Sequence, residues 1–499
     1  MFEHLIREWS YLPIAFSKIF LSPISMTFLI IGAILGYVVG VLPGIAAMLG
    51  MAMVLGLTLK LPMDITYPLI LGIWVSAIAT GGITASLINI PGTPAALATA
   101  VDGFPMAKKG KAREASGAVI LGSTLGCLIS NIFALVGLPL FATFALLFGD
   151  WEIFLFGMMG ILVVGALAGE DPIKGWIAGL LGFFISSIGM DELFAFPRFT
   201  FGNPYLTKGV GLLPALIGLF GLSEVFIVLK ERKPYEIPGK KMGFAKIELS
   251  WIRKYLGTIF RSSGIGIWIG FIPGVGESVA PWVAYYAAKR SSKFKELFGK
   301  GHVEGVIAAE VANNAVSGGA LLPTLALGIP GSGTTAILLA YLFLAGIRPG
   351  PLLIIEKPGF LVYTALLLIA AGIVTFIVAF LLSPFVIRIL TLPREVILPI
   401  AVSLCIVGIW GAGFTVHDLW VLFAFGLLGF VLRTRGFPIA PMAVGILIGK
   451  ILDTHLRRSI IQYITNPLGL FLRPIGIAII VLLTLMLISG FRMSKAVRR

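Results

Sequence analysis

The sequence has little charge for its length and few of the residues that soluble enzymes rely on. Asp, Glu, Lys and Arg make up 12% of 499 residues, and there are only 4 histidines and 2 cysteines. A soluble domain carries roughly 25% charged residues. Apolar residues reach 58% and the mean hydropathy is +1.02. This shortage of charge excludes a soluble globular protein.

Long apolar runs replace the missing charge. They include 24–42, 151–168, 360–382 and 474–488, and each reaches or approaches the ~20 residues that a helix needs to cross a bilayer. They recur along the whole chain. We therefore predict an all-α polytopic membrane protein with about 10–12 transmembrane segments.

Enzyme and ATPase signatures are also missing. The four histidines are His4, His302, His417 and His455. Their spacing matches no H-E-x-x-H motif, and no phosphate-binding P-loop or G-x-S-x-G motif occurs. Cys127 and Cys405 lie in apolar runs, which predicts packed side chains and not a disulfide. We expect no enzyme activity and no cofactor, so an ion gradient is the remaining energy source.

The positive charge is confined to short segments. The formal net charge is +15, and Lys and Arg cluster at 108–113, 230–254 and 289–300. Such clusters mark cytoplasmic loops beside anionic lipids, so we expect lipids and not nucleic acid as the basic loops' partner. Residues 1–21 lack a signal-peptide cleavage pattern and predict a retained interfacial segment.

Two segments of the chain resemble each other. Residues 36–44, GYVVGVLPG, are matched by residues 266–274, GIWIGFIPG, at an offset of 230. Further on, Gly81-Gly82 leads to an Ile-Pro-Gly at 90–92, and Gly318-Gly319 leads to another at 329–331, with two extra residues in the second copy. This order indicates a duplication. The paired glycines, four residues apart, predict close helix packing.

The basic loops predict that the two copies are inverted. The Pro-Gly interruptions at 43–44 and 273–274 predict two hairpins, and one crossing between 60 and 108 places their ends on opposite sides of the membrane. The inversion requires that 115–148, which contains Pro139, crosses once. The predicted division is an interfacial segment 1–21, a first membrane repeat 22–229, a basic cytoplasmic linker 230–254, a second repeat 255–452, and a C-terminal span with a basic tail 453–499.

Each copy also contains a broken helix in an apolar stretch. The predicted substrate-binding residues are Asn89, Pro91, Gly92 and Thr93 in the first break and Gly331, Ser332, Gly333 and Thr334 in the second. Within a membrane, a break is tolerated only where it is buried in protein or lines a wet cavity. The half-helix that follows offers free N–H groups and a positive dipole end to a carboxylate. A structural kink is the alternative.

Polar residues near the second break extend this prediction. Asn313 and Asn314 are predicted substrate contacts, with a structural amide as the alternative. For ion coupling we predict Glu277 and Glu310 and the hairpin tips Gly44 and Gly274. The tips can also be plain turns. Asp102, close to a basic loop, is expected to be a solvated cap.

Several long motifs together resemble one family. They are GGITASLINIPGTP at 81–94, DGFPMAKKG at 102–110, IPGVG at 272–276, EVANN at 310–314 and LGIPGSG at 327–333. The chain resembles the large membrane subunit, TctA-type, of tripartite tricarboxylate transporters. At Glu277-Ser278, where small or hydroxyl residues are expected, Glu277 departs from the pattern.

The resemblance implies a multi-pass permease of the bacterial inner membrane. Its implied partners are a small membrane subunit (TctB-type) and a periplasmic solute-binding protein (TctC-type). It implies uptake of a small carboxylate, a tricarboxylate or dicarboxylate, with Na⁺ as the coupling ion. The alternatives are proton coupling through Glu277 or Glu310, a passive channel and, more remotely, an intramembrane enzyme.

Overall fold

A computed structural model describes residues 2–42, 47–58, 60–89, 94–167, 172–230, 243–272, 276–390, 394–413 and 415–497. Within these ranges the chain is almost entirely helical. The strands they contain are a short antiparallel pair, β1 (Gly189–Met190) and β2 (Pro197–Arg198).

The helices up to the basic linker are α1 (Phe2–Ser10), α2 (Leu12–Phe20), α3 (Pro23–Val41), α4 (Ala47–Thr58), α5 (Met63–Ile88), α6 (Leu97–Lys108), α7 (Ala112–Ala145), α8 (Asp150–Leu167), α9 (Pro172–Ser186), α10 (Pro204–Thr207), α11 (Leu212–Leu216) and α12 (Ser223–Lys230). A π-helical turn, Ile217–Leu222, joins α11 to α12.

The helices after the linker are α13 (Ser250–Lys254), α14 (Leu256–Phe271), α15 (Gly276–Ser291), α16 (Val303–Leu327), α17 (Gly333–Leu344), α18 (Leu353–Glu356), α19 (Phe360–Leu382), α20 (Val386–Leu390), α21 (Arg394–Gly413), α22 (Val416–Thr434), α23 (Ile439–Gln462) and α24 (Pro474–Val497). Short 3-10 turns lie at Pro94–Ala96, Lys295–Leu297, Ser383–Phe385 and Pro467–Leu472.

Seven helical stretches in the described ranges are long and apolar enough to cross a membrane, by length and composition. They are 23–41, 63–88, 112–145, 212–230, 360–390, 416–434 and 439–462, and shorter apolar helices such as α4, α9 and α17 accompany them. The predicted fold class, an all-α polytopic membrane protein, is confirmed. Cys127 and Cys405 are buried, as predicted for packed side chains, and both are free thiols.

The described part of the C-terminal third contains five long helices, α19, α21, α22, α23 and α24. Helix α23 is continuous from 439 to 462 and passes through residue 452, where the sequence-based division placed a boundary. That division stays a prediction.

The basic segments gather on one face of the protein. The Lys109 Nζ atom donates to the Lys300 carbonyl at 2.7 Å, and the Lys246 N–H donates to the Arg113 carbonyl at 2.9 Å. We call this the basic face. Helix α5 runs toward the basic face from the other side of the protein. Its start lies beside the start of α3, where the Ser25 hydroxyl donates to the Asp64 carbonyl at 3.4 Å. We call that side the opposite face.

Two observations bear on the predicted inversion. Helix α7 is continuous through Pro139, so this segment does not turn back. The Thr66 hydroxyl donates to the Thr58 carbonyl at 3.1 Å, which brings the end of α4 to the opposite face. In the second copy, the start of α14 and the end of α15 lie instead in the basic segments, at Lys254 and Lys289. The inverted repeat stays a prediction that these contacts support.

The paired glycines pack helices closely, as predicted. A Cβ added at Gly36 would lie 2.6 Å from the Ile73 carbonyl oxygen of α5, and one added at Gly266 would lie 2.5 Å from the Ala312 carbonyl oxygen of α16. Only glycine allows such an approach.

These contacts also refine the alignment of the two copies. Positions 73 and 77 in α5 correspond to 312 and 316 in α16, and residue 89 after α5 corresponds to 328 after α16, each 239 residues later. Both helices end in a left-handed residue, Asn89 with φ 54° and Gly328 with φ 71°. This alignment needs no inserted residues before the second Ile-Pro-Gly, whereas matching the Gly-Gly pairs to each other required two. Gly318 and Gly319 correspond to positions 79 and 80.

Replacing Gly266 with alanine is expected to lower the stability of the protein. The new methyl group would overlap the backbone of α16, and overpacking of this kind costs on the order of 1–3 kcal/mol. Gly264 is the matched control on the same helix, since a Cβ there meets nothing within 4 Å. Thermal unfolding in detergent should show a lower midpoint for Gly266→Ala alone. Equal midpoints would mean that α14 and α16 do not pack as described.

The N-terminal segment is tied to the membrane helices. Glu8 of α1 is buried, and its carboxylate accepts the N–H groups of Gly359, Leu361 and Val362 at 2.7, 2.9 and 3.2 Å. Burial raises the pKa of Glu8 even though these donors act to lower it. A carboxylate at the start of α19 also stabilises that helix end.

Candidate functional site

The second break starts a new helix inside the protein. After Gly328 the chain folds back, and the Gly331 N–H donates to the Thr324 hydroxyl at 3.2 Å. Ser332 is buried and caps α17: its hydroxyl accepts the Thr335 N–H at 3.3 Å, and the Thr335 hydroxyl accepts the Ser332 N–H at 2.8 Å. The positive end of α17 is therefore buried.

This helix end already holds a carboxylate of the chain. The Thr334 hydroxyl donates to Glu277 of α15, and Thr334 also bonds to the Ser332 hydroxyl at 2.9 Å. Trp74 of α5 lies beside Glu277, although its indole N–H is buried without a partner at hydrogen-bond geometry. We call Glu277, Ser332, Thr334 and Trp74 the break cluster. Its polar groups suit a carboxylate.

A second buried carboxylate joins the two halves of the protein. Glu310 of α16 accepts the Thr99 hydroxyl at 2.6 Å, the Ser123 hydroxyl at 2.8 Å and the Asn314 amide at 3.3 Å. Its Oε1 atom lies so close to α5 that a Cβ at Gly82 would be 2.0 Å away. We call this group the Glu310 cluster. A buried charge is tolerated only when it is bonded in this way.

Two buried asparagines, Asn313 and Asn131, have side-chain atoms without a hydrogen-bond partner among the described residues. Asn313 is buried beside Glu310, yet neither its amide nitrogen nor its oxygen has a partner at hydrogen-bond geometry among the described residues. Asn131 of α7 donates to the Ser317 hydroxyl at 3.1 Å, while its oxygen is unpaired. Buried amide oxygens beside a carboxylate and hydroxyls can coordinate a small cation. Among the described residues, no three or more His, Cys, Asp or Glu side chains are placed to hold a metal ion together.

Asp102 corrects an expectation. It is buried and is not the solvated cap that its place near a basic loop indicated. Its carboxylate accepts the Tyr285 hydroxyl at 2.8 Å and the N–H groups of Gly299, Gly301 and His302 at 2.8 to 2.9 Å. Asp102 therefore fastens α6 of the first half to the start of α16 on the basic face.

The structure brings some of the predicted residues together and separates others. Glu277 meets Ser332 and Thr334, and Glu310 meets Asn314. Asn89 is exposed at the end of α5, and Gly333 packs against Met48. No contact between the two clusters is described. Gly44, Pro91, Gly92, Thr93 and Gly274 lie outside the described residues, so their assignments stay predictions.

Sequence reasoning missed Trp74, Thr99 and Ser123. Ser123 lies in the middle of an apolar run, and buried hydroxyls of that kind are a weak signal that could have been noted. Thr99 follows the first break by only a few residues. Nothing in the sequence pairs either residue with Glu310, which lies 211 and 187 residues further along the chain.

A cavity of about 780 Å³ opens beside the second break. It is lined by Leu327, the last residue of α16, and by Asp150, Arg348, His455 and Arg458. The His455 Nδ1 atom and the Asp150 carboxylate are 2.5 Å apart. Because α16 starts on the basic face and ends at this cavity, the cavity belongs to the opposite face.

The fold and these clusters define a polytopic helical membrane protein with broken helices and buried polar sites. Residues 26–444 match the family "Tripartite tricarboxylate transporter TctA family". The chain belongs to this family, whose members are large membrane subunits of tripartite tricarboxylate transporters, and the resemblance seen in the sequence is confirmed. The family is one of transporters.

Two relatives from Agrobacterium vitis support this assignment. One, named "Uncharacterized 52.8 kDa protein in TAR-I ttuC' 3'region", is 32% identical over 470 residues, 93% of each chain. Another, named "Uncharacterized protein in TAR-II ttuC' 3'region", is 30% identical over 224 residues, 44% of this chain and 93% of that protein. No solved structure matches this chain.

Proposed function

We propose that this chain is the permease of a binding-protein-dependent secondary transporter that imports a small carboxylate, a tricarboxylate or dicarboxylate, across the bacterial inner membrane. Its family supplies the class of transporter. The proposal adds the direction, the energy source and the residues that bind substrate and ion.

The proposal that the substrate is a carboxylate rests on one observation. The buried start of α17 holds the Glu277 carboxylate through the Thr334 hydroxyl, with Ser332 and Trp74 beside it. A site that holds the chain's own carboxylate has the donors and the positive dipole end that a substrate carboxylate needs. The substrate takes the place of Glu277 at Thr334 when it binds.

The Glu310 cluster supports coupling to a cation. Na⁺ is the coupling ion in this proposal, bound by the Glu310 carboxylate with the Thr99 and Ser123 hydroxyls and the free oxygen of Asn313. The same buried carboxylate favours a second mechanism, in which Glu310 carries a proton. Uptake at a fixed pH with and without Na⁺ distinguishes the two.

The cavity on the opposite face is the route by which the substrate enters in this proposal. In the proposed topology the basic face is cytoplasmic, so the cavity opens to the periplasm, where a solute-binding protein delivers the substrate. Arg348 and Arg458 line it without any described acidic partner. The small membrane subunit completes the complex.

Uptake into vesicles tests the proposal. The chain is reconstituted with its small subunit and a binding protein loaded with ligand, and labelled citrate and a panel of C4 to C6 and aromatic carboxylates are offered with and without a Na⁺ gradient. Concentrative, Na⁺-dependent uptake supports the proposal. Equilibration without accumulation under either a Na⁺ or a proton gradient would leave a passive channel as the better description.

Replacing Thr334 with valine is expected to weaken substrate binding. A hydrogen bond to a charged group is worth about 1.5–3 kcal/mol, so the substrate concentration for half-maximal uptake should rise roughly 10- to 100-fold. Thr143→Val is the matched control, since the Thr143 hydroxyl is buried and its one bond among the described residues is to the Pro139 carbonyl of its own helix. An unchanged half-maximal concentration in Thr334→Val would remove the break cluster from the substrate site.

A further inference from the structure

A hairpin between α9 and α11, residues 187–211, is placed on the opposite face. It contains β1, β2 and α10. The apolar stretch 212–230 starts at its end and finishes at Lys230, where the basic linker begins. The hairpin therefore lies across the protein from the basic face.

This hairpin exposes phenylalanine side chains. Phe201 is 90% exposed, Phe196 67% and Phe194 64%, and Phe199 is about half exposed. Leaving a phenylalanine in water instead of burying it forgoes roughly 1.5–3 kcal/mol. Four such side chains on one loop indicate a surface that is covered in the membrane.

The hairpin is held firmly. The buried Asp191 carboxylate accepts the Phe194 N–H at 2.9 Å and pairs with Arg198 at 2.8 Å and with Arg457 of α23, and Arg198 also pairs with Asp453 at 2.7 Å. Burial acts to raise the pKa of Asp191, but the Phe194 N–H and the two guanidinium groups outweigh it and hold that pKa below its usual value.

The backbone of the hairpin is strained where the rings project. Phe199 and Phe201 have φ angles of 53° and 48°, a left-handed conformation that costs a phenylalanine on the order of 1–3 kcal/mol. The ion pairs around Asp191 keep this conformation in place. The rings are thus presented outward by a fixed scaffold.

The exposed rings continue a lipid-facing helix surface. On α9, Ile177, Leu180 and Phe184 are each about half exposed and share one face of an apolar helix. The Phe184 and Phe199 rings lie 5.0 Å apart. The exposed face of α9 therefore runs without interruption into the hairpin, which points to lipid as the occupant.

We propose that the hairpin is an interfacial anchor whose phenylalanine rings insert into the bilayer on the opposite face, among the acyl chains just below the headgroups. Phenylalanine on the apolar side of interfacial segments is buried at this level of a membrane. The anchor fixes the depth of α9 and α11 and of the cavity beside the second break. It does not depend on the proposed substrate or coupling ion.

Site-directed spin labelling of the purified permease in lipid nanodiscs tests the anchor. Cys127 and Cys405 are buried, so a label added to Phe201→Cys or Phe196→Cys reports the hairpin alone. Glu192→Cys is the matched control, because Glu192 is an exposed carboxylate on the same hairpin and lines the cavity beside the second break. Accessibility to oxygen, which concentrates in lipid, is compared with accessibility to a water-soluble nickel chelate.

The expected result is a several-fold higher ratio of oxygen to nickel accessibility at 201 and 196 than at 192. Equal ratios at the three positions would overturn the proposal. Water-exposed labels at 201 and 196 that become shielded only when the small subunit or the binding protein is added would also overturn it, and would identify a protein as the occupant. Both readouts are independent of transport, so they are unaffected if the proposed substrate is wrong.

Discussion

Replacing Glu310 with glutamine is expected to abolish accumulation of substrate against its gradient. The variant keeps the size of the side chain but removes the charge that pairs with the coupling ion in the proposed function. Since a hydrogen bond or ion contact to a charged group is worth about 1.5–3 kcal/mol, uptake at limiting Na⁺ should fall roughly 10- to 100-fold. Uptake in vesicles measures this effect, and Na⁺-dependent thermal stabilisation of the purified protein provides a readout independent of transport.

Glu304→Gln is the matched control for this experiment. Glu304 is also a buried carboxylate on α16, and it accepts the Thr258 and Ser292 hydroxyls at 2.7 and 2.6 Å, away from the Glu310 cluster. It should keep the Na⁺ dependence of the parent. Accumulation by Glu310→Gln at the parent level would exclude Glu310 from coupling. Loss of accumulation with retained exchange of internal and external substrate at any Na⁺ concentration would favour the proton mechanism.

Replacing Asp102 with alanine is expected to destabilise the protein strongly. The change leaves the Tyr285 hydroxyl and the N–H groups of Gly299, Gly301 and His302 without their acceptor. Each buried donor without a partner costs about 1–3 kcal/mol. We expect a total loss on the order of 3–5 kcal/mol, since water can reach some of these groups from the basic face. The free energy of unfolding in mild detergent and denaturant measures it.

Tyr285→Phe separates the carboxylate from the hydroxyl. It removes one donor and leaves the three N–H bonds to Asp102 intact, so it should cost only about 1 kcal/mol. If the two variants lose equal stability, the N–H groups of 299–302 do not depend on Asp102. The clamp between α6 and α16 would then have to be assigned to other contacts.

The Glu310 cluster and the break cluster make different contacts between the two halves of the protein. Glu310 is bonded by residues of α6 and α7 in the first half, whereas Glu277 is bonded by α17 of its own half and lies beside Trp74 of α5. In the proposed function, an ion bound at Glu310 acts on the contact between the halves, whereas a substrate that displaces Glu277 acts on the break itself. This separation allows ion and substrate sites to be tested by different variants.

Much of this protein is determined by its sequence alone. Apolar runs of about 20 residues have no stable environment other than a bilayer, so the fold class follows from composition. The ends of α5 and α16 and the start of α17 depend on local chemistry, because Asn89, Gly328 and Ser332 set the backbone within one turn. The close helix contacts at Gly36 and Gly266 likewise follow from the spacing of small residues.

Which polar residues of different helices contact each other follows from the tertiary packing and not from the sequence pattern. Helical periodicity places Glu310 and Asn314 on one face, but Thr99 and Ser123 reach the same carboxylate from helices far away in the chain. Asp102 looked like a surface cap because charge near a loop is usually solvated, and it is buried because residues 299–302 fold over it. Such pairings depend on how distant helices pack, and a residue pattern carries information only about its own helix.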